Sequence, residues 1–349
     1  MLLKRPVIIL TLLFVILLFS ACNKPSASTP TQTPGEYIQS PSAAAVETIA
    51  PTLPPQAATR VILWSPLGSN FMVKADLESA LLSLVSDESL ELITVENLTP
   101  ADLTPTVKAV LALAPAEGLS TLAASAPTIQ FLGVGIDGLV PTSNLSIIIP
   151  SENSLEQKAF MAGYLSVLIT DDYRAGVLVQ SGSVTGQTLS GSFFVGARYL
   201  CGLCNARFAP VEYYPKIAEV ADPQSQTEWQ YAVDLLRNQG VQTIFIQPEL
   251  NTKPLMDYLN SVGVNIILLD STPNIGPNTT NVALIKNDYQ SALSELWPSL
   301  LENMGGKEII TGLALEPEND WISEGRLRLF YAVLDDLETG FIKPSPFNY

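Results

Sequence analysis

The sequence predicts an α/β protein of two similar lobes, each built on a mostly parallel β-sheet. From residue 60 onward, short apolar runs alternate with stretches of helical periodicity. This alternation is typical of parallel strands covered by helices on both faces. The chain has 349 residues, enough for two domains of ordinary size. The pattern starts afresh after residues 155–180, which indicates a second lobe.

Residues 155–180 are the predicted junction between the two lobes. The segment begins as an amphipathic helix, and it ends in an apolar run at 175–179 that suits a buried strand. Residues 171–174 (DDYR) interrupt the helical pattern between them. We therefore expect the helix to complete the first lobe, residues 170–174 to form a hinge, and the strand to open the second lobe.

The other elements follow from the same periodicity, with Gly and Pro clusters as their boundaries. The strands are predicted at 60–65, 90–95, 109–114, 128–134, 145–149, 175–180, 206–212, 243–247, 265–270, 281–286 and 308–315. The most strongly patterned later helices are predicted at 225–239, 253–262, 288–303 and 322–339.

The N-terminus has the features of a secretory signal sequence. Lys4 and Arg5 precede an apolar run at 7–19, which is shorter than the ~20 residues that a membrane-spanning helix needs. The run ends in FSAC, which resembles a bacterial lipobox and would make Cys22 the lipidated first residue of the mature chain. An ordinary signal peptide and an uncleaved anchor are the alternatives. All three place the body outside the cytoplasmic membrane.

Residues 23–59 change sharply in composition to Ser, Thr, Pro and Ala. Such a segment cannot bury a hydrophobic core, so we expect it to stay extended or disordered. Residues 1–22 are the predicted signal peptide and lipobox, and the predicted role of residues 23–59 is to tether the folded body to the lipid-anchored Cys22.

Composition excludes several classes of function. The formal net charge is −16, and an acidic body repels phosphate backbones, so nucleic acid is not an expected partner. The chain has no histidine, which excludes Ser-His-Asp and Cys-His catalysis and His-ligated metal sites. We predict no enzyme activity, no metal and no cofactor. An extracytoplasmic enzyme that uses carboxylates is the alternative in that class.

Ligands of open parallel sheets bind beyond the carboxyl ends of the strands, where loops and helix N-termini meet. A polar residue at such a position is also a common helix cap or turn former, and Phe71 suits a core as well as a ligand-stacking position. This rule nominates the following ligand-binding candidates: Asn70, Phe71, Asp137, Gln180, Gln247, Glu249, Asp270 and Lys286.

Cys201 and Cys204 form the motif CGLC. A thioredoxin-like site needs this motif after a strand and at the start of a helix, whereas here it is predicted to end a helix. Two thiols outside the cytoplasm can instead form a local disulfide. The sequence leaves free thiols and a disulfide open.

The residues EQKAFMAGY at 156–164 are similar to the E-x-A-F-L-A-G-Y helix of the basic membrane protein (BMP) family. This family is the purine-nucleoside-receptor-like branch of the type I periplasmic binding proteins. VALIKN at 282–287 resembles the family's V-L-x-S-V-x-K-N segment. The resemblance covers about residues 60–343.

The resemblance implies two Rossmann-like lobes, joined by a multi-strand hinge, that close on a small ligand without catalysing a reaction. The first lobe would comprise 60–170 plus about 281–305, and the second 171–280 plus about 306–349. By position, Phe71 would stack on a ring, Asp137 would make a polar contact, Asp270 would bind ribose hydroxyls, and Lys286 would be the neighbouring cation.

The sequence departs from the family pattern at residues 67–72, at Val220 and at 248–251. Each departure falls where the family holds its ligand, so another small polar ligand is also compatible. The leading hypothesis is a lipid-anchored, monomeric solute-binding protein that delivers a nucleoside-like ligand to an ABC permease. The alternative is a ligand-sensing or interaction lipoprotein with a degenerate form of the fold.

Overall fold

The structure is a computed structural model that describes residues 58–207, 209, 211–270, 281–317 and 321–345. The predicted signal sequence, Cys22 and residues 23–57 of the predicted tether lie outside these ranges.

The described strands form two sheets of six strands each, in the order β11-β5-β4-β3-β1-β2 and β12-β10-β9-β8-β6-β7. Every pairing is parallel except that of β10 with β12. The strands are β1 Arg60–Trp64, β2 Glu91–Val95, β3 Val107–Leu113, β4 Gln130–Val134, β5 Leu145–Pro150, β6 Ala175–Gln180, β7 Lys216–Val220, β8 Thr243–Ile246, β9 Asn265–Leu269, β10 Val282–Asn287, β11 Glu308–Thr311 and β12 Leu313–Pro317.

Helices cover both faces of each sheet. In β1, Val61 and Leu63 pack with α1 and α7, whereas Ile62 and Trp64 pack on the opposite face with α2. The second sheet has α3, α4 and α8 on one face and α5 and α6 on the other. The helices are α1 Phe71–Asp87, α2 Leu119–Ser125, α3 Ser154–Ile169, α4 Val184–Cys201, α5 Gln226–Asn238, α6 Lys253–Val262, α7 Tyr289–Leu301 and α8 Glu324–Glu338.

The predicted fold class is confirmed, because β1 and β6 lie in different sheets and each sheet has its own core. In the described part of the chain, the backbone passes between the lobes three times: after β5, between β10 and α7, and between β11 and β12. The last two passages are single residues, and the Asp288 amide donates to the Gly312 carbonyl at 2.9 Å.

The position of the first passage differs from the prediction. Helix α3 packs on the second sheet, so it belongs to the second lobe rather than the first. Residues 158–167 of α3 are buried all round, and the second sheet, α4 and α8 supply the apolar surface that covers them. The segment around the 3₁₀ turn Asp171–Tyr173 therefore connects two second-lobe elements and is not the hinge.

Three further expectations need correction. Strand β10 lies in the second sheet, although its residues were expected in the first lobe. The predicted strand at 308–315 is two strands, β11 in the first sheet and β12 in the second. The described residues of the stretch predicted as a strand at 206–212 do not form one; the edge position is taken by β7, Lys216–Val220, whose side chains are partly exposed.

Candidate functional site

Four of the predicted residues lie in one row on the second lobe. Gln180 ends β6, Gln247 follows β8, Asp270 follows β9, and Lys286 lies near the end of β10. These four strands are consecutive parallel neighbours in the sheet, about 4.8 Å apart. Because the carboxyl ends of parallel strands meet at one edge, the four residues lie along the same edge of the second sheet, and Asp270 and Lys286 line a cavity together with first-lobe residues.

Asp270 forms an ion pair with a buried lysine that was not among the predicted site residues. Lys158 of α3 is 3% exposed, and its Nζ pairs with Oδ2 of Asp270. The Asp270 side chain itself is 40% exposed, so the carboxylate is accessible on its other side. Asp270 has a left-handed φ of 44°, and its amide donates to the Ile285 carbonyl at 3.2 Å. Lys158 thus orients a carboxylate that remains open to the cleft.

Lys286 links the two lobes. Its Nζ donates to both carboxylate oxygens of Asp76, at 2.9 and 2.8 Å, and to Oε2 of Glu316 at 2.5 Å. Asp76 lies on α1 of the first lobe, whereas Lys286 and Glu316 lie on paired strands of the second. Burial lowers the pKa of Lys286, but the hydrogen bonds to Asp76 and Glu316 outweigh it and raise the pKa above its ordinary value.

Tyr289, the first residue of α7, lies where the lobes meet. Its side chain is buried, and burial is the main cause that raises the pKa of its hydroxyl. A hydrogen bond from the Asn287 side chain acts in the opposite direction, while the negative charges of Asp270 and Asp137 add to the increase. The phenol therefore lies within electrostatic range of one carboxylate from each lobe.

A cavity of about 180 Å³ lies at this junction. It is smaller than the ~300–1,000 Å³ that is usual for small-molecule sites. Met72 of α1 packs against the second-lobe core, so the first turn of this helix fills part of the cleft. The residues that line the cavity are Asn70, Met72, Val73, Asp76, Asp270, Lys286, Asn287 and Tyr289.

The two first-lobe candidates at the start of α1 differ in their relation to the cavity. Asn70 lines the cavity and also caps α1, because its Oδ1 accepts from the amides of Met72 and Val73 at 2.9 and 3.3 Å. Phe71 is 71% exposed and is not among the cavity-lining residues. Its predicted stacking role would require it to turn inward when ligand binds, and it stays a prediction.

Asp137 lies in the loop after β4 and lines a second cavity of about 460 Å³ in the first lobe, together with Glu117 and Gly135. The Tyr289 hydroxyl is 3.5 Å from the position that a Cβ would occupy at Gly135. The second cavity is therefore adjacent to the interlobe site.

Gln180 and Gln247 are linked to each other. The backbone amide of Gln180 donates to Oε1 of Gln247 at 2.8 Å, and the Gln247 side chain is fully buried. Nε2 of Gln247 has no hydrogen-bond partner in the described structure. Glu249 is exposed in the 3₁₀ turn Pro248–Leu250. Thus Gln247 fixes the end of β6, and Glu249 lies outside the cavity lining.

Cys201 and Cys204 are joined by a disulfide at the C-terminal end of α4. Cys204 is completely buried. The pair is distant in sequence from every cavity-lining residue, and its structural effect is to close the turn after α4.

Among the described helices, none combines the length and the apolar character that crossing a membrane would require.

No family model and no curated protein sequence matches the chain. Solved structures do match. An ABC transporter system solute-binding protein from Conexibacter woesei has a TM-score of 0.57 at 14% identity, covering 82% of this chain and 98% of that one. A second such protein, from Aeropyrum pernix, has a TM-score of 0.50 at 12% identity, covering 81% and 92%.

A transcriptional activator of the comK gene from Bacillus halodurans is similar to the same extent, with a TM-score of 0.50 at 12% identity and coverage of 82% and 99%. At these identities the similarity shows the fold alone. With two six-stranded α/β lobes in the described residues and three passages between them, the chain has the two-lobe fold of the type I periplasmic binding proteins.

Proposed function

We propose that the chain is an extracytoplasmic solute-binding lipoprotein that receives a small polar solute between its lobes and delivers it to an ABC permease. Two of the similar structures are named as ABC transporter solute-binding proteins. The N-terminal lipobox-like sequence supports attachment to the outer face of the cytoplasmic membrane. The observation that carries the proposal is the accessible carboxylate of Asp270, oriented by Lys158 at the junction of the lobes.

A nucleoside-like solute is the favoured ligand within this proposal. An ionised carboxylate accepts two hydrogen bonds from neighbouring hydroxyl groups, so Asp270 suits the vicinal diol of a ribose. The resemblance to the BMP family assigns the same role to this position. Hydrogen bonds to a carboxylate are charge-assisted, and they form in a site that lobe closure shields from water.

A second function deserves a test because the cavity is small and both lysines at the site already have carboxylate partners. A binding-protein fold that no longer needs a transported solute would serve as a sensing or interaction lipoprotein. One similar structure is named as a transcriptional activator, so proteins with related folds also regulate. Such a protein would purify without a bound transport solute, and it would not associate with a permease.

The first experiment is mass spectrometry of solute released from protein purified under native conditions, followed by calorimetry with nucleosides, sugars and amino acids. We expect Asp270→Asn to weaken binding of the solute about 10- to 100-fold, because a charge-assisted hydrogen bond contributes about 1.5–3 kcal/mol. Asp257→Asn, at an exposed ion pair on α6, is the matched control and should bind normally.

Binding that survives Asp270→Asn in a folded protein would contradict the site assignment. Absence of released solute, together with no binding to any compound tested, would favour the sensing or interaction function instead.

A further inference from the structure

The ion pair between Asp76 and Lys286 crosses the cleft between the lobes, and we call it the interlobe latch. It joins α1 of the first lobe to β10 of the second through two hydrogen bonds of 2.8–2.9 Å. The side chains are 26% and 16% exposed, so water and salt screen the pair only in part.

The latch acts together with an apolar contact. Met72, one turn before Asp76 on α1, packs against the core of the second lobe. Both residues therefore hold the first turns of α1 against the opposite lobe, and both line the small cavity.

A solute that is too large for the cavity of about 180 Å³ and the latch exclude each other. Inserting a flat ring between two walls that touch each other moves them apart by ~3.5 Å, the thickness of the ring. Separating the lobes by that amount would break the contacts of Lys286 with Asp76, which are shorter than 3 Å. The pair with Glu316 would persist, because Glu316 lies in the same sheet as Lys286.

We propose, building on the proposed solute-binding function, that Asp76 is an internal competitor of the solute: its carboxylate pairs with Lys286 and keeps the cleft closed. Binding then replaces the contact between Asp76 and Lys286 with contacts to the solute. The larger the fraction of molecules in which the interlobe latch is formed, the lower the apparent affinity for the solute. Asp76 and Asp270, two carboxylates of the same cavity, consequently have opposite effects on binding.

The first arm of the test needs no ligand. Hydrogen exchange of the full chain is compared for the wild type, Asp76→Asn, Lys286→Met and the double variant. We expect each single variant to exchange about fivefold faster or more at the first turn of α1 and at residues 286–289, with no change in α5. The double variant should be no faster than the singles, because both remove the same contact.

Asp87→Asn is the matched control. It removes a carboxylate from the exposed end of the same helix and should leave exchange at the cleft unchanged. Lys286→Met leaves α1 intact, so agreement between the two single variants excludes a simple loss of helix stability. Wild-type exchange at the cleft in both single variants would overturn the latch.

The second arm measures affinity by calorimetry with inosine, adenosine and D-ribose. For any of these that the wild type binds, we expect Asp76→Asn to bind about fivefold more tightly or better, the lower end of typical coupling between sites. Weaker binding would show that the pair belongs to the bound state and would overturn the proposal.

If none of the three compounds binds while the exchange results are as expected, the latch stands as a closing contact and the nucleoside-like assignment fails. The two arms therefore separate failure of the latch from failure of the proposed function.

Discussion

At the scale of single residues, Lys158 is the least expected member of the site. A lysine that is 3% exposed needs a charged partner, because an unpaired ammonium in the protein interior is strongly unfavourable. Its partner Asp270 is much more accessible. Loss of Asp270 should therefore lower the free energy of unfolding more than loss of Lys158 does, and this difference can be measured.

We expect Asp270→Asn to lower the free energy of unfolding by about 3 kcal/mol, because it leaves the buried ammonium of Lys158 unpaired. Lys158→Met should cost less, about 1 kcal/mol, since the remaining carboxylate of Asp270 can be hydrated. Urea unfolding of both variants and of the double variant measures these values. A larger loss for Lys158→Met would show that Asp270 is the residue that depends on the pair.

The sequence allowed only part of this site to be predicted. Asp270 and Lys286 were predictable because strand ends in a parallel sheet converge on one edge. Lys158 had a weak signal, a charge directly before the apolar stretch 159–165 of its helix. Asp76 had none, because it lies 210 positions from Lys286 and only the packing of one lobe against the other brings them together.

At the scale of secondary structure, the contact between α3 and α4 fixes the second lobe. Gly163 of α3 lies against the carbonyl of Phe193, and Gly196 of α4 lies against the carbonyl of Phe160. A Cβ at either glycine would overlap the backbone of the opposite helix. The two glycines therefore allow the helix backbones to touch directly.

We expect Gly163→Ala and Gly196→Ala each to lower the free energy of unfolding by about 3 kcal/mol, because the helices must move apart and lose packing around them. Gly325→Ala, at the open start of α8, is the control. It should be neutral or up to ~1 kcal/mol stabilising, since alanine restricts the unfolded chain. Chemical denaturation of the three variants tests this, and a wild-type stability for Gly163→Ala would contradict the direct contact.

The element-level predictions failed where sequence carries no local signal. Residues 308–315 have one continuous β-type pattern, yet Gly312 carries the chain from the first sheet to the second. Strand β7 was missed because an edge strand with exposed side chains lacks an apolar run. The central strands are mostly apolar and were placed to within a few residues.

At the scale of the whole molecule, two of the three passages between lobes are coupled to each other and to α8. Asp288 donates from its amide to the carbonyl of Gly312, and Oε1 of Glu338 accepts from the amide of Leu313 at 2.7 Å. A Cβ at Gly312 would be 2.9 Å from that oxygen, so glycine permits the approach. The carboxyl group of Glu338 is therefore built into the junction of the lobes.

This carboxyl group makes the stability of the junction depend on pH. Burial raises the pKa of Glu338 above its ordinary value of 4.5, the hydrogen bond from Leu313 lowers it, and the charges of Asp335 and Asp288 raise it further. A raised pKa in the folded state means that the group stabilises the fold fully below its unfolded pKa. That contribution is lost as the pH rises through the folded pKa.

Glu338→Gln should therefore raise Tm relative to the wild type at pH 7, because glutamine keeps an acceptor for the Leu313 amide without a charge near Asp335 and Asp288. The difference should shrink as the pH falls toward 4, where the carboxyl group of the wild type is protonated. Thermal unfolding between pH 4 and pH 8 measures it, with Asp336→Asn on the same helix as the control. A Tm of Glu338→Gln below that of the wild type at pH 7 would mean instead that ionised Glu338 stabilises the junction, and the junction would then be most stable at neutral pH.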